Sequence, residues 1–495
     1  MRALAAMIVV LVGAWPAAAA TLRMAVDILP PSLANPYRSS LPPTVWSVYA
    51  LFDALTRFDA NNQLQPALAV GWEKIDDLTW RFTLRDGVTF HNGQPFDAAA
   101  VKAAVDYVTS DAAAREGLKR EIAVLAGARV VDRLTVDILT TEPAPQMPRY
   151  ATGLMIGEPA AFAALGRDGF ARQPVGTGPF KLDEMADNAW RLSAFDAAWR
   201  KAKVAGLHIL AVPEAAARVS GLLAGRLDIV MSLNPDSIDA IVASGGRTYV
   251  ASDPAVFGIS FITGKPGPWQ DARVRRALNM AVNRQGIIDV LLTGATVPAG
   301  QPAARAVLGH DPALAPYPYD PQGAKRLLAE AGHGNGFSFV LEAATGIDPN
   351  DAAVYQQIQA DLRAVGVAME IRTVPATQFY NALRMTEFSG DAFPIDWPSW
   401  PTIDVTRALL PHSCERLKPW YCDPAIMPKL VAARTEWDEA SALTLRRELM
   451  RHYRDQAPAI FLYENVTFVG LGKGVSGFGI VNGVHIAFED IELAP

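Results

Sequence analysis

Few residues of this sequence are arranged for covalent chemistry. No serine stands in a Gly-x-Ser-x-Gly nucleophile elbow, and no His-Glu-x-x-His zinc motif occurs. The segment Gly176-Thr177-Gly178 lacks the Lys-Ser/Thr pair of a phosphate-binding loop. The histidines are scattered singly, at positions 91, 208, 310, 333, 412, 452 and 485. The sequence therefore predicts no catalytic constellation, no metal site and no cofactor.

Cys414 and Cys422 are the only two cysteines of the chain, eight positions apart. In an oxidising compartment this spacing favours a local disulfide that closes a short loop. Two free thiols are the alternative. A metal site with His412 is conceivable, but no further Cys/His cluster is present to complete four ligands.

The N-terminus predicts an oxidising compartment. Arg2 is followed by an apolar stretch over Ala3–Trp15 and by the small residues Ala18–Ala20. This is the pattern of a secretory signal peptide over residues 1–20, cleaved after Ala20. A membrane anchor is the alternative, but the stretch is short for a bilayer of about 30 Å. No cysteine near the cleavage site allows lipid attachment, so we expect a soluble periplasmic protein without a lipid anchor.

Composition excludes several classes of protein. The chain has 495 residues, which suggests several domains at about 150 residues each. Half of the residues are hydrophobic and 19% are charged, so the chain can build a large core and is not disordered. The net charge of -6, without a basic run, argues against nucleic acid as a partner.

Strand and helix patterns alternate along the chain. Val256–Thr263 and Ala459–Tyr463 are apolar runs typical of buried strands, and turn dipeptides around Trp80–His91 predict a hairpin. Asp320-Pro321 and a terminal Gly332 bound a well-marked helix. This alternation predicts an α/β fold of several lobes.

Five groups of short segments occur in an order and spacing that one protein family shares. They are Leu64–Ala69 with Trp72-Glu73, Thr79–Phe96, Gly176–Phe180, Arg273–Leu278 and Ala324–Gly332. Together, over about residues 22 to 490, they resemble the extracytoplasmic solute-binding proteins of the peptide and nickel ABC importers, family 5, whose members include oligopeptide- and dipeptide-binding proteins.

The resemblance implies a periplasmic-binding-protein-like fold of type II, with three lobes and hinge closure. Lobe I would comprise residues 21–55, 174–263 and 466–495, lobe II residues 56–173, and lobe III residues 264–465. A ligand that touches two lobes favours their closed arrangement, which a permease can then recognise. The expected partners are a peptide or small-molecule solute and an ABC permease in the inner membrane, and we expect a monomer that is not an enzyme.

The resemblance also implies a ligand-binding aspartate. Asp396 matches the position that in peptide-binding relatives pairs with the α-ammonium group of the peptide. A carboxylate removed from water selects a cation, because leaving it unpaired costs several kcal/mol. A solvent-facing turn is the alternative role for Asp396.

Further lining residues are predicted around Asp396. Trp397 and Trp400 would offer an aromatic face to an apolar or cationic ligand, although Ser399 and Trp400 depart from the pattern of peptide binders. Arg384 could pair with a ligand carboxylate or form a surface ion pair. The remaining candidates, for which core packing is the alternative, are Trp46, Phe257, Phe261 and Tyr355.

The sequence thus predicts a receptor for a peptide or peptide-like solute. Within that class the alternatives are an opine, a sugar derivative, an amphiphile or a metal chelate. An exported hydrolase is an alternative of another class, opposed by the missing nucleophile and base. A chaperone-like binder of unfolded chains would expose extensive apolar surface.

Overall fold

The computed structural model describes residues 20–38 and 42–494, so the predicted leader over residues 1–20 lies outside the described residues except for Ala20. The strands in these ranges are β1 Thr21–Val26, β2 Thr56–Phe58, β3 Leu64–Pro66, β4 Ala69–Asp76, β5 Thr79–Leu84, β6 Leu125–Asp132, β7 Thr135–Thr140, β8 Phe180–Ala186, β9 Ala189–Ala194, β10 Gly206–Ala211, β11 Ile229–Val230, β12 Arg247–Phe261, β13 Phe337–Ala343, β14 Val367–Thr373, β15 Ala392–Pro398, β16 Ala459–Leu471, β17 Val475–Ser476, β18 Ile480–Val481, β19 His485–Ile486 and β20 Glu492–Leu493.

The α-helices of the same ranges connect and cover these strands. They are α1 Pro42–Val48, α2 Ala98–Thr109, α3 Gly117–Glu121, α4 Met147–Tyr150, α5 Pro159–Arg172, α6 Ala215–Leu223, α7 Ile238–Ala243, α8 Ala272–Ala281, α9 Arg284–Leu291, α10 Pro321–Glu330, α11 Asp351–Ala364, α12 Ala376–Met385, α13 Val405–Leu409, α14 Met427–Thr435 and α15 Glu439–Gln456. Among the described helices, none has the length and apolar character needed to cross a bilayer.

Ten strands form one mixed sheet in the order β14-β13-β15-β12-β16-β11-β1-β10-β9-β8. Two long strands, β12 and β16, stand in its middle and pair antiparallel along most of their length. The C-terminal part of β12 also pairs with β15, whereas the C-terminal end of β16 pairs with β11. The two halves of the sheet are therefore joined through β12 and β16. This confirms the predicted α/β class.

The β12–β16 pairing is irregular at its centre. The register shifts between Ser252 and Val256, where Pro254 removes a backbone donor. A second register shift follows between Phe257 and Gly258. The residues Val256–Phe261 are all buried. A strand buried on both faces is a continuous apolar run, which is how the sequence predicted this part of β12.

A second sheet has four antiparallel strands in the order β4-β5-β7-β6. The predicted hairpin over Trp80–His91 is wrong, because β5 ends at Leu84 and pairs with β4 and β7 instead. The segment after β5 makes only a local bridge between Thr89 and Pro95. By contrast, α10 is confirmed with its cap, since the Asp320 carboxylate accepts from Gly323 N at 2.7 Å.

The turn at Gly176-Thr177-Gly178 packs against the backbone at Leu51. A Cβ atom at Gly176 would lie 2.0 Å from the Leu51 carbonyl oxygen, so only glycine allows this approach. Thr177 Oγ1 donates to Asp53 Oδ2 at 2.8 Å. This contact leads directly into a buried group of charges.

We call that group the ion-paired site, formed by Asp53, Arg200 and Glu489. Arg200 Nε contacts Asp53 Oδ1 at 2.5 Å and Arg200 Nη1 contacts Glu489 Oε2 at 2.6 Å. Arg200 Nη2 donates to the Tyr49 carbonyl oxygen at 3.0 Å. The ion-paired site therefore ties together three segments that are far apart in the sequence.

Candidate functional site

Asp396 lies on β15 of the large sheet, beside the irregular β12–β16 pairing. Asn465 of β16 donates from Nδ2 to Asp396 Oδ2 at 3.1 Å. The amide orientation of Asn465 is fixed, because its Oδ1 accepts from Val466 N at 2.9 Å. The other oxygen, Asp396 Oδ1, is enclosed and has no hydrogen-bond partner among the described residues. An enclosed oxygen without a partner is a place for a ligand donor.

Asp396 begins a row of side chains across three strands. It stands opposite Phe257, and Phe257 stands opposite Tyr463. Directly opposed residues lie on the same face of a sheet. The rings of Phe257 and Tyr463 are 5.4 Å apart between centroids. Two predicted residues, Asp396 and Phe257, are thus brought together.

Two further aspartates, on other elements, act electrostatically on Asp396. Asp253 lies at the register shift of β12, and Asp348 lies in the loop between β13 and α11. Thr467 Oγ1 donates to Asp253 Oδ2 at 3.2 Å, while Asp253 Oδ1 has no hydrogen-bond partner in the part of the chain that the structure describes. We call Asp253, Asp348 and Asp396 the carboxylate cluster. Among the described residues, no arginine or lysine forms an ion pair with any of the three.

The cluster shifts the proton affinity of its members. Removal from water, and then the neighbouring charges of Asp348 and Asp253, hold the pKa of Asp396 well above its usual range. Removal from water also raises the pKa of Asp253 to about 7, with a contribution from Asp348. The pKa of Asp348 rises to about 7 for the same first reason, with a further contribution from Asp351. Such groups take up a cation or a proton.

Three tyrosines surround the carboxylate cluster. Tyr355 of α11 and Tyr463 of β16 are each only 2% exposed, and the carboxylates of Asp348 and Asp396 act on both. Burial, and then these carboxylates, hold the pKa of both hydroxyls well above the usual range, so the hydroxyls stay protonated. Tyr380 of α12 is under the same influence, and its side chain is partly open to solvent. The predicted residue Tyr355 therefore belongs to this site.

Trp397 lies on the opposite face of β15 from Asp396, because side chains alternate along a strand. Its ring stacks on His412 at 3.6 Å between centroids and contacts Phe461 at 5.3 Å. His412 is fixed in turn by a 2.9 Å contact between its Nε2 and Ser260 Oγ. The structure thus places Trp397 in the core rather than beside Asp396.

Trp400 and Trp46 make their contacts with residues outside the carboxylate cluster. Trp400 packs near Tyr49 and Asp53, beside the ion-paired site. Trp46 Nε1 donates to the Gly483 carbonyl oxygen at 2.8 Å. Gly483 has φ +67°, and a Cβ atom there would lie 2.1 Å from Asp253 Oδ1. Trp46 therefore reaches the carboxylate cluster only through Gly483.

Two predicted residues lie apart from Asp396. Phe261 packs in the core against Phe339, with ring centroids 5.6 Å apart. Arg384 is exposed on α12, and its Nη2 donates to Asn381 Oδ1 at 3.3 Å. Neither contacts the carboxylate cluster.

Cys414 and Cys422 form a disulfide, as the local spacing predicted. His412 stacks on Trp397 and does not join the cysteines in a metal site. In the ranges that the structure describes, no three His, Cys, Asp or Glu side chains are grouped to hold a metal ion.

Sequence reasoning missed Asp253, Asp348, Asn465, Tyr380 and Tyr463. The available signal was weak, because Asp253-Pro254 interrupts an apolar run and Asp348-Pro349 follows a strand. Both patterns are also typical of ordinary turns. The carboxylates meet only through long-range strand pairing, which no local pattern records.

Comparison with known proteins shows the family of the chain. The family model for the bacterial extracellular solute-binding proteins, family 5, matches residues 63–411. The glutathione-binding protein GsiB of Salmonella paratyphi A is 27% identical over 90% of this chain and 89% of its own length. The di/tripeptide-binding protein 2 of Pseudomonas aeruginosa is 26% identical over 87% of each chain.

Solved structures show the same fold. The periplasmic binding protein DppA of Helicobacter pylori, in complex with the peptide STSA, has a TM-score of 0.83 at 20% identity over 96% of this chain and 98% of its own. A dipeptide-binding protein of Pseudoalteromonas with bound Met-Leu has a TM-score of 0.85 at 20% identity, over 96% and 100% of the two chains.

Proposed function

The chain belongs to the bacterial extracellular solute-binding proteins of family 5, and we propose that it captures a peptide or peptide-like solute for an ABC importer. Named relatives bind glutathione or di- and tripeptides. Both ligand classes carry a free α-ammonium group. We expect the protein to act in the periplasm as a monomer, to deliver its ligand to the membrane permease, and to catalyse no reaction.

The paired strands β12 and β16, which join the two halves of the large sheet, support the proposal that lobes I and III close on the ligand. We assign residues 21–55, 174–263 and 466–495 to lobe I, residues 56–173 to lobe II and residues 264–465 to lobe III. Across the boundary between lobes I and III, Asn350 N donates to Asn234 Oδ1 at 3.3 Å. Closure about β12 and β16 would carry both sides toward Asp396.

A single observation carries the assignment of the ligand. Asp396 Oδ1 is enclosed beside the strands that join the two halves of the sheet, and no group in residues 20–38 or 42–494 is its hydrogen-bond partner. A ligand ammonium group would supply both the missing hydrogen bond and the missing positive charge. Asp396 is therefore the proposed site of the peptide N-terminus.

Replacing Asp396 with Asn tests this proposal. A panel of di- to pentapeptides is screened by thermal shift, and each hit is titrated by calorimetry. We expect Asp396→Asn to weaken peptide binding by at least about tenfold, since a charge-assisted hydrogen bond is lost. Acetylation of the peptide N-terminus should weaken wild-type binding similarly.

Asp187→Asn is the matched control, because Asp187 is exposed and the substitution removes the same charge. It should leave binding unchanged. Equal affinity of the Asp396→Asn variant and the wild type would remove Asp396 from the site. If peptides fail while opines, sugar derivatives, amphiphiles or metal chelates bind, the receptor role remains and the peptide assignment is wrong.

A further inference from the structure

The chain that we assign to lobe II, residues 56–173, is fixed to lobe I through its backbone. Ile156 N donates to the Asp53 carbonyl oxygen at 2.9 Å, and Glu158 N donates to the Val175 carbonyl oxygen at 2.9 Å. Backbone hydrogen bonds at both ends of one segment hold its position whatever the side chains do. Lobes I and II therefore behave as one body, against which lobe III would turn.

Lobe II also contacts lobe III, and there side chains make the contacts. Arg434 of α14 donates from Nε to Glu142 Oε1, just after β7, at 2.7 Å. Arg407 of α13 pairs with Glu121 of α3, and their side chains are only 12% and 15% exposed. We call these two contacts the interlobe ion pairs. Because they are partly withdrawn from water, salt screens them less than it screens pairs at the surface.

An aromatic contact accompanies the interlobe ion pairs. Trp437, between α14 and α15, places its ring 5.8 Å from the ring of Trp80 on β5, between centroids. Lys74 of β4 places Nζ 3.8 Å from the centroid of the same Trp437 ring. An ammonium group is attracted to the face of an indole ring. Lobe II therefore offers both apolar surface and charge to lobe III.

A further contact reaches the chain that continues from β15, the strand of Asp396. Thr152 Oγ1 donates to the Pro401 carbonyl oxygen at 3.1 Å. Arg149 Nη1 donates to the Thr402 carbonyl oxygen at 3.0 Å. Lobe II thus holds a segment that lies only a few residues from the candidate site.

The connections of lobe III to the other two lobes differ in kind. Lobes I and III share the ten-stranded sheet through β12 and β16. Within residues 20–38 and 42–494, no strand pairing and no backbone hydrogen bond joins lobe II to lobe III. A rotation of lobe III about β12 and β16 would therefore keep the sheet and separate the interlobe ion pairs. A contact that exists in only one arrangement favours that arrangement.

We propose that lobe II stabilises the closed arrangement by binding lobe III through the interlobe ion pairs and the Trp437 contact. These residues would then raise the affinity for a solute although they lie outside the candidate site. The inference rests on the closure described under the proposed function, and it assigns to lobe II a part in binding.

Removing both carboxylates of lobe II tests this inference. The variant Glu121→Gln/Glu142→Gln loses the interlobe ion pairs and keeps the contact between Arg434 and Glu415 within lobe III, at 3.0 Å. The probe is Ala-Ala-Ala, whose side chains carry no charge, titrated by calorimetry. We expect binding to weaken about threefold to tenfold, because a smaller share of the protein is closed.

The matched control removes two ion pairs that lie within single lobes. Glu184 pairs with Arg191 in lobe I at 2.6 Å, and Glu448 pairs with Lys429 in lobe III at 2.5 Å. Glu184→Gln/Glu448→Gln makes the same change of charge and should bind Ala-Ala-Ala as the wild type does. The inference is wrong if Glu121→Gln/Glu142→Gln retains wild-type affinity, or if the control loses as much affinity as that variant.

Small-angle X-ray scattering of the full chain without peptide gives a measurement that does not depend on the solute. Glu121→Gln/Glu142→Gln should have a larger radius of gyration than the wild type and the control. If Ala-Ala-Ala binds to none of the three proteins, the peptide assignment fails and scattering decides the present inference. Equal radii would then overturn it, and an expanded variant would support it.

Exchanging the charges of one pair separates pairing from a general disturbance. Glu121→Arg places two positive charges together and should weaken Ala-Ala-Ala binding and enlarge the radius. The double variant Glu121→Arg/Arg407→Glu recreates an ion pair and should restore both quantities toward the wild type. If it remains as impaired as Glu121→Arg, the pairing is not the cause and the inference is wrong.

Discussion

The ion-paired site and the carboxylate cluster are both acidic groups withdrawn from solvent, but only one of them contains a cation. In the ion-paired site, Arg200 contacts the carboxylates of both Asp53 and Glu489. In the carboxylate cluster, Asn465 and Thr467 offer neutral donors, and within the described ranges two carboxylate oxygens remain without a hydrogen-bond partner. Charges that are matched within the chain hold it together, whereas unmatched charges are available for a ligand.

The largest effect should follow from removing the cation of the ion-paired site. Arg200→Met leaves Asp53 and Glu489 without a counter-charge, and breaking a buried ion pair costs about 3–5 kcal/mol. We expect this loss in the free energy of unfolding, measured with urea. Unchanged stability would mean that the two acidic groups do not differ as described.

In the carboxylate cluster, we expect removal of a charge to raise the free energy of unfolding, by an amount intermediate in size. Removal from water raises the pKa of Asp348 to about 7, so the folded state retains a proton there that the unfolded state releases near pH 4. Stability from this group is therefore lost as pH rises from about 4 to 7, by roughly 1.4 kcal/mol per pH unit while the proton is retained.

Comparing Asp348→Asn with the wild type isolates this slope. The ligand-free variant should equal the wild type in stability near pH 4 and become progressively more stable than it toward pH 8. Asp137 should behave oppositely, because hydrogen bonds from Arg81 lower its pKa and its contribution is lost as the pH falls. A pH-independent difference between Asp348→Asn and the wild type would contradict the unmatched state of Asp348.

The smallest effect should come from an ion pair at the surface. Lys203 and Glu492 lie 2.8 Å apart, and both side chains are about half exposed. Water and salt screen such pairs, so we expect Lys203→Met to leave the urea midpoint within experimental error. A clear shift of the urea midpoint would show that this ion pair stabilises the fold although both side chains are about half exposed.

The sequence predicted the architecture better than the site. The family resemblance and the alternating patterns led to the α/β class, and Asp320, Pro321 and Gly332 marked a helix correctly, because caps are local signals. The hairpin predicted over Trp80–His91 was wrong, because turn dipeptides do not reveal that β5 pairs with β7 about 55 residues later in the chain.

The site shows the same limit. Asp396 was found through a family motif, but its neighbour Trp397 was grouped with it although the strand turns that side chain to the other face. Only half of β12 was predicted, because Asp253-Pro254 interrupts its apolar run. That interruption is where Asp253 lies, so the local pattern breaks at a residue of the candidate site.

The paired strands β12 and β16 also determine how far each part of the candidate site would move during closure. In a rotation about these two strands, points beside them move least and points far from them move most. Asp253 lies on β12, and Asp396 lies on β15, which pairs with β12. If the lobes close about these strands as proposed, a charged group bound at Asp396 would keep nearly the same geometry in the open and closed arrangements. Capture of that end would then precede closure, and variation in ligand length would be accommodated farther from the two strands.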